Sequence, residues 1–395
     1  MLPRTDYDTL VVTAPGLERI TVRELAALSV SPSGDMEPGA IPVRASLQSL
    51  YTMNLNLRTA SRITVQGANF RARSFAELER KARAVAWDEW LRDGMRVRLR
   101  VTCRKSRLYH SDAVAERIAG AIGARVHLHV EEKDDDTQEP NDAQLVLVRL
   151  LRDECTIRFD SSGANLHRRG YRQATAKAPL RETLAAAMLL GAEWDPATPL
   201  LDPFCGSGTI AIEAALLARK IAPGKHRTFA FTNWPNFDAA LWRSAQDQAQ
   251  SRETARRAPI IAADRDAGAI AATTANAERA GVLTDIEARE QALSALEPPR
   301  EAGWVVTNPP YGVRVGEVPQ LRNLYATLGR LGRERLAEWH CALLSAHPAL
   351  EGALEWPLEE RFRTTNGGLN VHLVVRLPLE QSAPAKTAAG SLGIT

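Results

Sequence analysis

Apolar positions change period along the chain and divide it into three segments. Over residues 1–60, the strand-like "YDTLVVTA" precedes "GLERITVRELAALS", where Leu17, Ile20, Leu25 and Leu28 recur at helical spacing. A Pro-, Ser- and Gly-rich stretch (31–42) predicts a loop, and "SLQSLYTMNLNLRTA" a second helix. Over 61–160, "SRITVQGANF" predicts a strand, and Ser74 with Glu77 three residues on has the spacing of a capping box. "RVRLRVTC" and "RVHLHVE" alternate as half-exposed strands, and Ser111 or Asp112 is expected to cap the helix between them. The run 131–142 reads as an acidic surface loop, and "AQLVLVRLLRDECTIRFD" as two paired strands turning at Arg152–Glu154. Such mixtures of strands and helices build compact α+β modules.

From 165 to 380 short apolar strands alternate with helices: "PLLDPFCGSG" then "TIAIEAALLARK", "APIIAADRD" then "AGAIAATTANAERAG" closed by Gly281. "IEARE", "WVVTNPPYG" and "HCALLSA" add strands, and "ERFRTTN" with "LNVHLVVRL" predicts a terminal antiparallel pair. This alternation predicts a mostly parallel sheet covered by helices on both faces. The tail 381–395 is poor in apolar residues and is expected to be disordered.

Composition narrows the picture. The 395 residues suffice for two or three domains. No apolar run approaches the roughly 18 residues of a membrane span, and the N-terminus lacks a signal-peptide pattern. Four widely spaced cysteines form no C-x-x-C pair, which predicts a reduced, cytoplasmic chain without structural zinc. His127 and His129 stand at strand spacing with no third ligand in register, so solvent-facing histidines are expected. The net charge of +3 is nearly balanced, but arginine clusters at "RKSR" (104–107) and "HRRGYR" (167–172) suit phosphate and base recognition.

Three stretches carry chemistry. In "LLDPFCGSGT" a strand ends at Asp202 and enters a turn containing Gly206 and Gly208, with Thr209 opening a helix. The turn is neither a G-x-G-x-x-G nor a P-loop. A carboxylate beside it repels pyrophosphate and suits a cationic amino group, as in S-adenosylmethionine. In "AADRD" Asp264 ends the next strand, where an acidic residue accepts from ribose hydroxyls; alternatively, Asp264 or Asp266 caps the following helix. In "TNPPYG" the Asn308 side-chain oxygen and the Pro309 carbonyl form an acceptor pair for a planar amino group, and Tyr311 offers a ring to stack on the base that bears it.

Together "DPFCGSGTIAIEAA", "ADRD" and "TNPPYG" resemble the motifs of class I S-adenosylmethionine-dependent methyltransferases acting on an amino nitrogen. Upstream, "SSGANLHRRGYR", "APLRETLAAAMLL", "RKSRLYHSDAVAERI" and "YDTLVVTAPGLERITVREL" extend the likeness to THUMP-containing RNA guanine-N2 methyltransferases of the large-subunit rRNA type, over about residues 5–378. The resemblance implies a ferredoxin-like domain (1–60), a THUMP RNA-binding domain (61–160) and a Rossmann-like methyltransferase domain (165–380).

It further implies that Asp202, Phe204, Gly206, Gly208 and Thr209 bind the cofactor and that Asp264 holds its ribose. Gln291, or else Glu290, meets the adenine, and Pro179–Thr183 lies over the cofactor. Asn308, also near the cofactor, would act on the target amine with Pro309 and Tyr311. Arg104, Lys105, Arg107, Arg168 and Arg169 would bind RNA phosphates. The expected activity is methylation of a guanosine N2 amine in structured RNA, 23S rRNA or else tRNA, by a monomer without metal. A DNA adenine-N6 methyltransferase and a non-catalytic RNA-binding factor are the rival readings.

Overall fold

The computed structural model describes residues 6–125, 129–131, 143–173, 180–255, 258–311 and 317–377. The acidic run beyond Glu131, His127, Pro179 and the tail 381–395 lie outside them, and His129 is described by its backbone alone. Two seven-stranded sheets organise the chain.

The first contains β1 (Tyr7–Thr13), β2 (Ala40–Ala45), β3 (Ala60–Arg71), β4 (Arg96–Arg104), β5 (His129–Glu131), β6 (Gln144–Leu151) and β7 (Glu154–Asp160), in the order β2-β1-β3-β7-β6-β4-β5. Its helices are α1 (Glu18–Ala27), α2 (Leu47–Asn56), α3 (Phe75–Arg83) and α4 (Ser111–Gly123). Residue 60 opens β3, which pairs with β1 on one edge and β7 on the other, so the first two sequence segments share one continuous sheet.

Local chemistry sets these elements. Arg152 and Asp153 join β6 to β7 with φ of 51° and 68°, the left-handed pair that matches the twist of a two-residue hairpin. Ser74 accepts from the Glu77 amide at 3.2 Å, as expected, but Glu77 returns its bond to the amide of Arg73 rather than of Ser74. At α4 the expectation fails. His110 holds the cap position without a side-chain bond, and Ser111 is already the first helical residue.

The second sheet contains β8 (Leu200–Asp202), β9 (Ile260–Asp264), β10 (Ile286–Glu290), β11 (Trp304–Thr307), β12 (His340–Ser345), β13 (Glu359–Asn366) and β14 (Leu369–Arg376), ordered β10-β9-β8-β11-β12-β14-β13. Strands β8 to β12 pair in parallel, whereas β14 is antiparallel to both β12 and β13. Helices α5 (Glu182–Ala192), α6 (Thr209–Ala218), α7 (Ala239–Ser251), α8 (Ala267–Arg279), α9 (Glu317–Glu334) and α10 (Pro348–Gly352) complete it. Gly281 ends α8 at φ 70°, with its amide and that of Val282 donating back to Glu278 and Ala277. The chain steps outward from β8 to β10 and then crosses back to β11. Adjacent β8 and β11 therefore flank the crevice where sheets of this type bind ligands.

One excursion breaks the linear plan. Between α6 and β9 the chain leaves the second sheet, and Phe229, Phe231, Trp234 and Ala245 join the core of the first. Trp234 meets Trp90 edge-on at 5.0 Å, Trp90 stacks on Phe159 at 4.9 Å, and Tyr51 stacks on Phe231 at 4.4 Å. The Trp234 indole N–H donates to Gln144 at 2.8 Å. Each buried ring contributes about 1.5–3 kcal/mol, and each favourable ring pair about 0.5–1.5 kcal/mol more. Helix α1 also bridges the halves. Leu25 lies in the first core, Leu17 and Ile20 in the second, and Leu28 is only partly covered.

Candidate active site

Asp202 ends β8 and is 1 % exposed. Its Oδ1 accepts from the Thr307 hydroxyl at 2.6 Å and the Phe204 amide at 3.2 Å. Thr307 precedes Asn308, so this bond ties the ends of β8 and β11 together. The turn beyond is held at several points. Cys205 N donates to Ala263 O at 3.0 Å, Thr273 Oγ1 to Gly206 O at 2.9 Å, and Asn276 Nδ2 to Ser207 O at 3.0 Å. Gly206 (φ 53°) and Gly208 (φ 81°) are both left-handed. A Cβ on Gly208 would lie 2.7 Å from Thr273, whereas one on Gly206 would point into open space. Gly206 therefore bares its backbone toward a potential ligand.

Asp264 ends β9 beside this turn. Its Oδ2 accepts from Gly206 N and its Oδ1 from Asp266 N, both at 3.0 Å. The capping role belongs to Asp266, which accepts from Gly268 N and Ala269 N. A carboxylate has about four acceptor sites, so Asp264 keeps capacity for hydroxyl donors. Gln291 follows β10, its amide donating to Asp264 O at 2.8 Å. Its side-chain nitrogen donates to Ala295 O at 2.8 Å, which leaves Oε1 buried without a partner. Glu290 is exposed. Asn308 stands at the end of the buried strand β11 with its Oδ1 likewise buried and unpaired. Tyr311 is half-buried, and its hydroxyl accepts from Asn366 Nδ2 at 2.9 Å.

Thus the ends of four neighbouring strands, β10, β9, β8 and β11, carry two carboxylates and two orphaned amide oxygens. An unpaired buried acceptor costs about 1–3 kcal/mol, so each of these two oxygens is open to an N–H group of a ligand bound along the strand ends. Residues 169–374 match the model of the RMKL-like methyltransferase domain. The chain belongs to this family of methyltransferases. Residues 8–64 match the RlmL ferredoxin-like domain and 72–160 the THUMP domain.

The methyltransferase is 33% identical over 359 residues to "Putative RNA methyltransferase slr0064" of Synechocystis, covering 90% of this chain and 93% of that one. It is 35% identical over 375 residues to ribosomal RNA large subunit methyltransferase K/L of Syntrophotalea carbinolica; the match takes in 92% of this chain but 52% of that longer protein. A structure of a predicted N6-adenine-specific DNA methylase from Listeria monocytogenes superposes with a TM-score of 0.82 at 31% identity, covering 93% of this chain and 96% of that one. The structure of SMU.472, "a putative methyltransferase complexed with SAH", gives 0.84 at 27% identity, covering 95% and 99%.

As a class I methyltransferase the chain takes S-adenosylmethionine as methyl donor, and its crevice fits that molecule. Burial, and secondarily the charge of Asp264, raises the Asp202 carboxyl to about 7. A cofactor ammonium would offset that penalty. The sign follows from the raised pKa. Protonating Asp202 favours the ligand-free fold at low pH, a contribution lost as pH rises through about 7, where the carboxylate becomes available to a cation. Affinity for S-adenosylhomocysteine is therefore expected to fall by up to about tenfold per unit below pH 7. Calorimetry across this range should show the slope in the native protein and not in Asp202→Asn.

Sequence patterns missed Thr307, Thr273 and Asn276, hydroxyl and amide residues inside apolar or helical runs. The arginine-rich stretch 167–172 needs a correction. Arg169 is 4 % exposed, and its guanidinium contacts Glu213 at 3.4 Å and the carbonyls of Leu166 and Arg58. It has no face left for a phosphate. Arg172 likewise turns inward, meeting the Thr209 hydroxyl and Glu182, each at 3.2 Å. Thr209 is thus buried behind the turn, its hydroxyl engaged by Arg172. Arg168 is half-buried, while Arg104, Lys105 and Arg107 are exposed.

Proposed function

We propose that the protein transfers a methyl group from S-adenosylmethionine to the exocyclic N2 amine of a guanosine in structured RNA, 23S rRNA first and tRNA as the alternative. The observation that carries this reading is the unpaired Asn308 Oδ1, buried at the end of β11 beside the Asp202 turn. In this reading Asp202 receives the cofactor ammonium, Asp264 its ribose hydroxyls and Gln291 Oε1 its adenine amino group. Phe204 and the glycine backbone line the turn. Bound S-adenosylmethionine supplies an electrophilic methyl on a sulfonium.

The chain's own residues then make the amine a nucleophile. Its lone pair is delocalised into the purine. Asn308 Oδ1 and the Pro309 carbonyl would accept hydrogen bonds from its two N–H groups, favour a tetrahedral nitrogen and aim the lone pair; the one proton the methylated amine sheds would pass to solvent. Tyr311, anchored through Asn366, sets the plane of the base. Orientation and electrostatics carry this catalysis. Either purine amine satisfies such an acceptor pair. RNA is supported by the THUMP match and the names of the two relatives, guanine by the resemblance of the segments upstream of the Asp202 turn to RNA guanine-N2 methyltransferases.

Mass-spectrometric mapping of N2-methylguanosine in rRNA and tRNA, from cells with and without the gene, tests this. One rRNA guanosine is expected to lose its methyl group. Loss confined to tRNA selects the alternative, and N6-methyladenine lost from DNA alone overturns the reading.

A further inference from the structure

We propose that the 104–110 loop is a stacking site for unpaired RNA nucleotides, with the Tyr109 ring as its platform; this rests on the RNA reading above and deepens it. Tyr109 is 69% exposed, the most exposed large hydrophobic residue among those described. Its ring lies against that of His110, centroids 4.1 Å apart at 40°.

The loop that presents the pair is held rigid from below. Leu108 is 5% exposed and sits in the first core. Arg107 N donates to Asp153 Oδ1 at 2.8 Å, Asp153 N to Ser106 Oγ at 3.0 Å, and Ser106 Oγ to Arg104 O at 3.1 Å. The β6–β7 hairpin tip is thereby fastened under it. The side chains of Arg104, Lys105 and Arg107 are exposed, and none has a partner among the described residues. Exposed Arg152 joins them from the hairpin tip, its amide donating to Arg104 O at 3.2 Å.

An exposed aromatic face on a loop that also carries three exposed cations, with a fourth at the adjoining hairpin tip, matches single-stranded nucleic acid. Phosphates meet the cations, and a base without a stacking neighbour covers the ring. A continuous duplex offers the phosphates but no free base face. The pair therefore selects strand state, which cations alone do not.

The test measures binding of the full-length protein to a short unstructured oligoribonucleotide and to the same sequence as a duplex. Tyr109→Ala is expected to weaken single-strand binding about tenfold and to leave the duplex unchanged. Tyr109→Phe should stay close to the native value. The salt slope should persist in Tyr109→Ala and fall by about 0.7 for each of Lys105→Ala and Arg107→Ala. Native-like single-strand binding by Tyr109→Ala overturns the proposal, as does an equal loss in Tyr109→Phe or on the duplex. Binding is read without methylation, so failure of the methyl-transfer assignment would show separately, as a native protein that binds RNA and modifies none.

Discussion

Asn308→Ala is expected to lower methyl transfer about 10²–10³-fold while S-adenosylhomocysteine binds as before. The asymmetry follows from position. In the proposed reading the cofactor's charged and hydroxyl groups fall to Asp202 and Asp264 at the ends of β8 and β9, whereas Asn308 follows β11 and its free oxygen would accept from the target amine. Alanine removes that oxygen without touching the Thr307–Asp202 bond one residue earlier. Asn308→Asp keeps an acceptor and should retain more activity than alanine. Transfer of labelled methyl to RNA and calorimetric titration report the two properties separately. A near-native rate in the alanine variant would remove Asn308 from the reaction.

The second large effect concerns stability. Arg169→Ala should cost about 3–5 kcal/mol in folding free energy, because it removes one partner of a buried ion pair with Glu213 and leaves the Leu166 and Arg58 carbonyls without their donor. Glu213 is fully buried on α6, and its Oε1 is shared by Arg169 and the Tyr171 hydroxyl at 3.1 Å. The same arginine reaches the Arg58 carbonyl at the entrance to β3, so one side chain fastens the two sheets' domains at a single point. Urea denaturation of Arg169→Ala beside Lys105→Ala, an exposed cation, should show the midpoint falling only in the former. The opposite pattern, unchanged stability with weakened RNA binding, would restore Arg169 to the phosphate-binding set.

Arg169 also shows where sequence patterns stop. "HRRGYR" displays its charges but not their directions, and the partner that turns Arg169 inward lies 44 residues away. One usable signal existed. Glu213 sits in "TIAIEAALLA", a helix apolar on every side, and a carboxylate there demands a cation. The strand–turn–helix around Asp202 was legible because strand, carboxylate, glycines and helix are contiguous, so local chemistry alone specifies its shape. The terminal pair β13–β14 was legible for the same reason. The orphaned oxygens of Gln291 and Asn308 were not, since being unpaired depends on every neighbour. Nor was the destination of Phe229, Phe231 and Trp234. Their aromatic density announces a core, but nothing in it says that the core belongs to the other sheet.

That misplaced aromatic arm bears on any attempt to graft these parts. A cut near residue 165 would separate the sheets' strands cleanly, yet it would strand Phe231 and Trp234 in water on one fragment and open their sockets around Tyr51 and Trp90 on the other. The portable N-terminal unit is therefore discontinuous. It has to carry the 229–249 arm with it, spliced back through a short linker.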